Sequence, residues 1–259
     1  MSDYDFGYSL WWTHGHLIPF ALAAAVLLLS VWRGWPRWLS LGAGAIAIWA
    51  LAGFAIVQIV LGANRPLDLP TTAFFRDGRG DVLDVGAGSG RSTVMVLMGR
   101  PGARVTALDV YQGYFGIDDN TPDRLRANAR AAGAAERVNV VTGDMRAMPL
   151  PDARFDAAVS AAAIDHLSRD DIATALREVS RVLKDDGEFL LIVIDVDVWV
   201  RLAYPMAHHG YFGHSPNADT WRERLESAGF EVTEQGTKPA TLYFLARKGA
   251  SVDRDGGGV

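Results

Sequence analysis

Apolar positions are spread unevenly along this chain of 259 residues. Between positions 10 and 32 there is no Asp, Glu, Lys or Arg, although His14 and His16 fall in the stretch. After the turn-rich break Arg33-Gly34-Trp35-Pro36-Arg37, positions 38 to 64 again carry no formal charge. About 20 apolar residues span a hydrocarbon core, so the runs predict two long apolar helices, at about 10–32 and 38–64. Trp11 and Trp12 stand at the start, and Trp32, Trp35 and Trp38 surround the break. Indole rings favour the headgroup level, so a two-helix membrane anchor over residues 1–65 is expected, with its tip at one interface. The same residues leave open a buried helix pair docked on a soluble domain, or a shallow hairpin within one leaflet. The first run is a poor secretory signal: Asp3 and Asp5 stand where a basic region belongs, and no convincing cleavage site follows.

Beyond residue 65 the pattern shortens and alternates. Strands are predicted at 81–85, 104–109, 138–142, 155–160, 188–194, 231–235 and 241–247. Helices fill the intervals. One runs from the glycine turn to Gly99, and one starts at Thr121-Pro122 and stops at Gly133. A third, capped by Ser168, sets Ile172, Leu176, Val179 and Leu183 on one face, and a short one covers 219–228. This alternation predicts an α/β fold over 66–249, a doubly wound and mostly parallel seven-stranded sheet covered on both faces. Glu188-Phe189-Leu190-Leu191-Ile192-Val193-Ile194 is apolar enough for a central strand. Such sheets bind ligands at the carboxyl ends of their strands, near the reversal in strand order. The connection over 195–219 is too long for a simple loop and reads as a lid, and residues 250–259 as a disordered tail.

Charge sharpens this division. Residues 1–65 hold only Arg33, Arg37, Arg65, Asp3 and Asp5, while the rest of the chain holds 22 basic and 28 acidic residues. An acidic balance argues against nucleic acid as the main partner. With no cysteine, disulfides, thiolate metal sites and a cysteine nucleophile are excluded. Arg65, Arg76 and Arg79 after the second run outnumber the two arginines at the tip, which barely favours a cytoplasmic catalytic domain.

The most informative stretch is Leu83-Asp84-Val85-Gly86-Ala87-Gly88-Ser89-Gly90-Arg91. Glycines permit a sharp turn and close approach of the backbone to a ligand. A dinucleotide fingerprint would place its third glycine at 91, where Arg91 stands. Asp84 is poor company for a pyrophosphate but suits a ligand with cationic ammonium and sulfonium groups. Asp109, 19 residues after Gly90, can accept from two ribose hydroxyls. In Gly143-Asp144-Met145, Asp144 can accept from an adenine amino group while Met145 lies on the ring. The bland alternative is that these acids cap helices or face solvent.

These motifs resemble the class I S-adenosylmethionine-dependent methyltransferases, over about residues 81–248. The branch with quinone and small-molecule methyltransferases is the most similar, through MPLPDARFDAAVSAAAIDHL and EVSRVLKDDGEFLLIV. The resemblance implies S-adenosylmethionine as cofactor and a last strand inserted antiparallel between the fifth and sixth. It also implies a cofactor site at Asp84, Gly86, Ala87, Gly88, Asp109, Val110, Gly143, Asp144, Met145 and the backbone of Ala161. Asp186 departs from a glycine common in the family, which bears on a turn and not on the site.

For the acceptor, Asp165 and His166 are the titratable pair nearest the fourth strand, and His208, His209 and His214 lie in the lid. His166 can equally be structural, and the lid histidines fit no standard zinc spacing, so no metal is expected. Catalytic roles are expected for His208, His209, His166 and Asp165, and a small lipophilic acceptor is implied by the anchor and the apolar lid. Thiols are slightly preferred over quinones or lipids, since a thiol of pKa about 8.5 needs little help to ionise. The rival readings are a nicotinamide-dependent oxidoreductase and a catalytically silent cofactor-binding membrane subunit.

Overall fold

The computed structural model describes residues 4–112, 118, 120–207 and 217–249. Its centre is a seven-stranded sheet in the order β3-β2-β1-β4-β5-β7-β6. The strands are β1 (Arg79–Val85), β2 (Gly102–Asp109), β3 (Val138–Thr142), β4 (Phe155–Ala161), β5 (Leu183–Ile194), β6 (Phe230–Lys238) and β7 (Thr241–Lys248). The first five are parallel, and β7 runs antiparallel between β5 and β6, as the family resemblance implies. Strand order reverses between β1 and β4, so a crevice at their carboxyl ends is the place to look for a site.

Helices cover both faces. On one side α6 (Arg169–Val182) and α8 (Ala218–Ser227) bury Leu176, Val179, Trp221 and Leu225 against Leu83, Phe155, Phe189 and Phe244. On the other, α4 (Arg91–Gly99) brings Met95 and Val96 to Val82, Val105, Ala157 and Leu190. Each such side chain withdrawn from water contributes about 1.5–3 kcal/mol before chain entropy is counted. The predicted caps form: Thr121 accepts from the Arg124 amide ahead of α5 (Pro122–Ala131), and Ser168 accepts from Asp171 ahead of α6. Two strands are longer than their apolar runs. β5 starts at Leu183, which pairs with Phe155 before the register shifts, and β6 extends to Lys238 because β7 pairs along its whole length.

The N-terminal helices are also less regular than predicted. The first is interrupted at Gly15-His16 into α1 (Leu10–His14) and α2 (Leu17–Arg33). The second, α3 (Arg37–Ala55), passes into a π-helical turn at Ile56–Val60 and stops short of residue 64. There the Leu61 amide donates to Ile56, and Gly62 turns left-handed, which ends the helix. The tip is closed by left-handed Gly34 and the bond from the Trp35 amide to Ser30. Small residues, Ala23, Ser30, Ala43, Ala50 and Gly53, are buried in this helix pair, while Leu28, Leu41 and Ile48 are each more than 70% exposed. Small-inside and large-outside reverses the pattern of a water-soluble helix pair. Leu10–Arg33 and Arg37–Val60 are both long and apolar enough to cross a bilayer by length and composition.

Candidate active site

At the carboxyl end of β1 the chain turns at Gly86 (φ 75°) and Gly88 (φ 53°). A Cβ on Gly86 would stand 2.4 Å from the Ala163 Cβ and 3.0 Å from the Met145 methyl, so the loops after β1, β3 and β4 converge there. The loop amides have definite partners. Gly86 and Ala87 donate to the Leu108 carbonyl at 2.8 and 3.0 Å, and Gly88 donates to the Asp109 carboxylate at 2.9 Å. Three loop amides are thus engaged by β2.

Asp109 is half-buried and central. One oxygen receives Gly88; the other receives the Tyr111 amide at 2.7 Å and the Asn120 side-chain amide at 3.3 Å. Beside it, the Tyr111 hydroxyl and the Asn120 carbonyl oxygen are buried and have no hydrogen-bond partner among the described residues. Burial, then the charges of Asp109 and Asp84, push the Tyr111 phenol upward. Orphaned polar groups next to a carboxylate at the end of β2, one strand from the reversal, fit a polyhydroxylated ligand such as the ribose of S-adenosylmethionine. Val110, 40% exposed, and half-buried Met145 offer apolar faces beside them.

One expected contact needs correcting. Asp84 does not face the crevice: it is fully buried, and its carboxylate accepts from Ser92 at 2.8 and 2.9 Å and from Thr93 at 2.5 Å. The last residues of a central strand are covered on both sides, so this acid is enclosed and fastens β1 to α4. Burial, opposed by the hydroxyl bonds, raises its pKa to about 6. Asp144 stays partly exposed at the end of β3 and is paired with Arg146, whose guanidinium lies 2.6 Å from it and also pairs with Asp171. The Arg146 hydrogen bonds lower the Asp144 pKa. Gly143 follows β3 and donates its amide to the Asp109 carbonyl.

After β4, Ala161 leads into Ala162 at φ 49°, and the Ala162 amide donates to Ile192. Asp165 is fully buried; one oxygen accepts the Ile194 amide at 2.9 Å and the other has no hydrogen-bond partner among the described residues. Burial lifts it to about 7 and drops the neighbouring His166 to about 4. The expected acid–base pair is therefore a neutral histidine beside a carboxyl that is about half-ionised near pH 7, with Asp165 holding the end of β5. His208, His209 and His214 lie outside the described residues. The described part of the lid is not a free flap. Asp197 caps α7 (Val198–Ala203), and the end of α7 is bonded to the N-terminal helices.

Residues that the motifs did not reveal tie these parts together. Arg91 donates to the carbonyls of Leu61, Gly62 and Arg65 and sits 5.6 Å from the Tyr8 ring. Asn128 joins the backbone of Asp5 to the Ser89 carbonyl, and Phe6 is buried. The only local signal was Arg91 standing where a dinucleotide loop has glycine.

Residues 82–187 match the methyltransferase domain family. With the fold and the loop geometry, this defines the class: the chain carries a class I S-adenosylmethionine-dependent methyltransferase domain. Among relatives, a protein of Encephalitozoon cuniculi named as a methyltransferase is 29% identical over 186 residues, 64% of this chain and 78% of that one. The ubiquinone/menaquinone biosynthesis C-methyltransferase UbiE of Methylobacterium nodulans is 38% identical over 112 residues, 43% of this chain and 40% of its own length. Human N-acetylserotonin methyltransferase, solved in complex with SAM, shares the fold at TM-score 0.52 and 20% identity, covering 78% of this chain and 53% of that one. The chain thus spans well under half of the quinone methyltransferase it matches.

Proposed function

We propose that the protein is a membrane-anchored methyltransferase that moves the methyl group of S-adenosylmethionine to a small lipophilic acceptor. The observation that carries the reading is the loop after β1: Gly86 and Ala87 donate to Leu108 and Gly88 to Asp109, which sets the glycine turn against a carboxylate at the end of β2. Arg91, standing where a dinucleotide loop has its third glycine and tied to Leu61, Gly62 and Arg65, opposes a nicotinamide-dependent oxidoreductase. In this reading Asp109, with Asn120 and Tyr111, receives the ribose. Gly86, Ala87, Gly88 and the Ala161 backbone border the methionine part, and Val110, Gly143 and Met145 flank the adenine. Asp84 acts from behind the loop, and Asp144 fixes the turn that carries Met145. Bound there, the cofactor supplies an electrophilic methyl for in-line displacement, and the protein's contribution is alignment and exclusion of water.

The hairpin of residues 1–65 anchors the enzyme, and the catalytic domain faces the cytoplasm, where the donor is made. A thiol acceptor is preferred, because His166, held neutral by burial, is a weak base and a thiol asks for the least help in losing its proton. His208 and His209 remain the proposed helpers in the lid. The similarity to a quinone C-methyltransferase favours a quinone-type acceptor as the second reading.

The test is the full chain in detergent with methyl-labelled S-adenosylmethionine, offered alkyl thiols, short-chain quinols and phospholipids in parallel. Label in the thiols supports the first reading, and label confined to quinols installs the second. Tight cofactor binding with no label in any acceptor makes the protein a silent binding subunit.

A further inference from the structure

The last turn of α7 is joined to the hairpin by three long-range hydrogen bonds. The Trp49 indole donates to the Leu202 carbonyl at 2.9 Å, His16 Nε2 donates to the Ala203 carbonyl at 2.7 Å, and the Tyr204 hydroxyl donates to the Trp12 carbonyl at 2.7 Å. The fit is close: a Cβ on Gly53 would lie 2.5 Å from the His16 ring. Trp12 stacks on Tyr204 with ring centres 6.2 Å apart, and His16 lies 5.1 Å from the same tyrosine.

The level of this junction matters. Trp49 lies 11 residues along α3 from Trp38 at the tip, which is about 16 Å of helix. A hydrocarbon core is about 30 Å thick. The tip carries Arg33 and Arg37 among three tryptophans, a composition suited to an interface and costly at the bilayer centre. A tip at the far interface places Trp49, and with it the end of α7, below the near surface of the bilayer. The outer side of α7 suits that position. Val198 is 61% exposed, Leu202 50% and Met206, just beyond the helix, 91%. Exposed apolar clusters of this kind mark contact surfaces, and this one continues the outward-facing apolar surface of the hairpin. Arg201, also exposed, bonds back to the Val196 carbonyl, so part of its guanidinium is satisfied within the protein.

From this continuity we propose that α7 is a lipid-immersed element, lying in the near leaflet beside the hairpin, so that the acceptor side of the site opens into the bilayer. The proposal rests on the anchor reading above and goes beyond it by giving the catalytic domain its own lipid contact.

Because the chain has no cysteine, single labels are unambiguous. Leu28→Cys on the hairpin, Met206→Cys beside α7 and Glu223→Cys on α8 would each carry a bimane fluorophore on the full-length protein. The proteins are reconstituted in phosphatidylcholine–phosphatidylglycerol vesicles, and retained cofactor affinity certifies each fold. Quenching by acyl-chain nitroxide lipids is compared with quenching by aqueous iodide. The expected result is several-fold preference for lipid quenching at positions 28 and 206 and the reverse at 223. Lipid quenching at 28 with iodide quenching at 206 overturns the proposal and leaves the anchor intact. Iodide quenching at both positions removes the anchor and the proposal together. Lipid quenching at 206 alone removes the anchor and leaves α7 as the membrane contact.

Discussion

Two parts of the molecule, the cofactor edge at the glycine loop and the hairpin edge at the end of α7, are built in opposite ways. On the cofactor edge the partners are near in sequence: Asp84 with Ser92 and Thr93, Gly88 with Asp109, Asp109 with Tyr111. On the hairpin edge they are remote: His16 with Ala203, Trp12 with Tyr204, Trp49 with Leu202. One edge is a local motif that a parallel sheet orients, and the other exists only once the hairpin and the fifth-strand crossover meet. The first can be recognised residue by residue, whereas the second can be perturbed from far along the chain.

The comparison is broken most severely at Gly86. Gly86→Val would force a β-branched residue to φ 75° and set its Cβ against Ala163 and Met145. We expect S-adenosylmethionine affinity to fall by roughly 100-fold or more, close to 3 kcal/mol, by calorimetry. The hairpin contacts should survive, and a thermal melt would show that the domain remains folded. Near-normal affinity would mean that the cofactor does not use this loop.

How legible each edge was follows from the same contrast. Strand alternation placed all seven strands. Central β5 shows as an unbroken apolar run because both its faces are covered. Edge strand β3, none of whose residues is buried, matched to the residue through its short valine-rich run. The glycine turn and Asp109 were found because their spacing is local. Asp84 was found but misdirected: sequence shows that an acid ends a strand, not which neighbours enclose it. The hydroxyls of α4 claim Asp84. Nothing in the chain pattern links His16 to Ala203, 187 positions away.

Asp165 gives the next test. Its folded pKa of about 7 lies above the ordinary carboxylate value of about 3.9, so the folded state holds the proton more tightly. Its contribution to stability is complete below about pH 4 and is lost as pH rises toward 7. Asp165→Asn keeps an acceptor for the Ile194 amide and removes the titration. Denaturant unfolding at pH 5 and pH 8 should show the wild type losing on the order of 2 kcal/mol more than the variant. Methyl transfer should persist, because this acid supports β5. Equal slopes with lost turnover would return Asp165 to the chemistry.

The smallest effect separates the two edges most cleanly. Tyr204→Phe keeps the ring that stacks on Trp12 and removes only the hydroxyl bond to the Trp12 carbonyl. A neutral hydrogen bond of this kind contributes about 1 kcal/mol, which predicts a fall of about 2–4 °C in the thermal midpoint. Cofactor affinity should stay within about twofold, since no hydrogen bond of Asp109 or of the glycine loop runs through Tyr204. Turnover on a lipophilic acceptor should drop further than affinity does, because α7 then sits less firmly against the hairpin. If cofactor affinity falls in step with turnover, the two edges form one cooperative unit, and the division drawn between a local and a long-range part of the molecule is wrong.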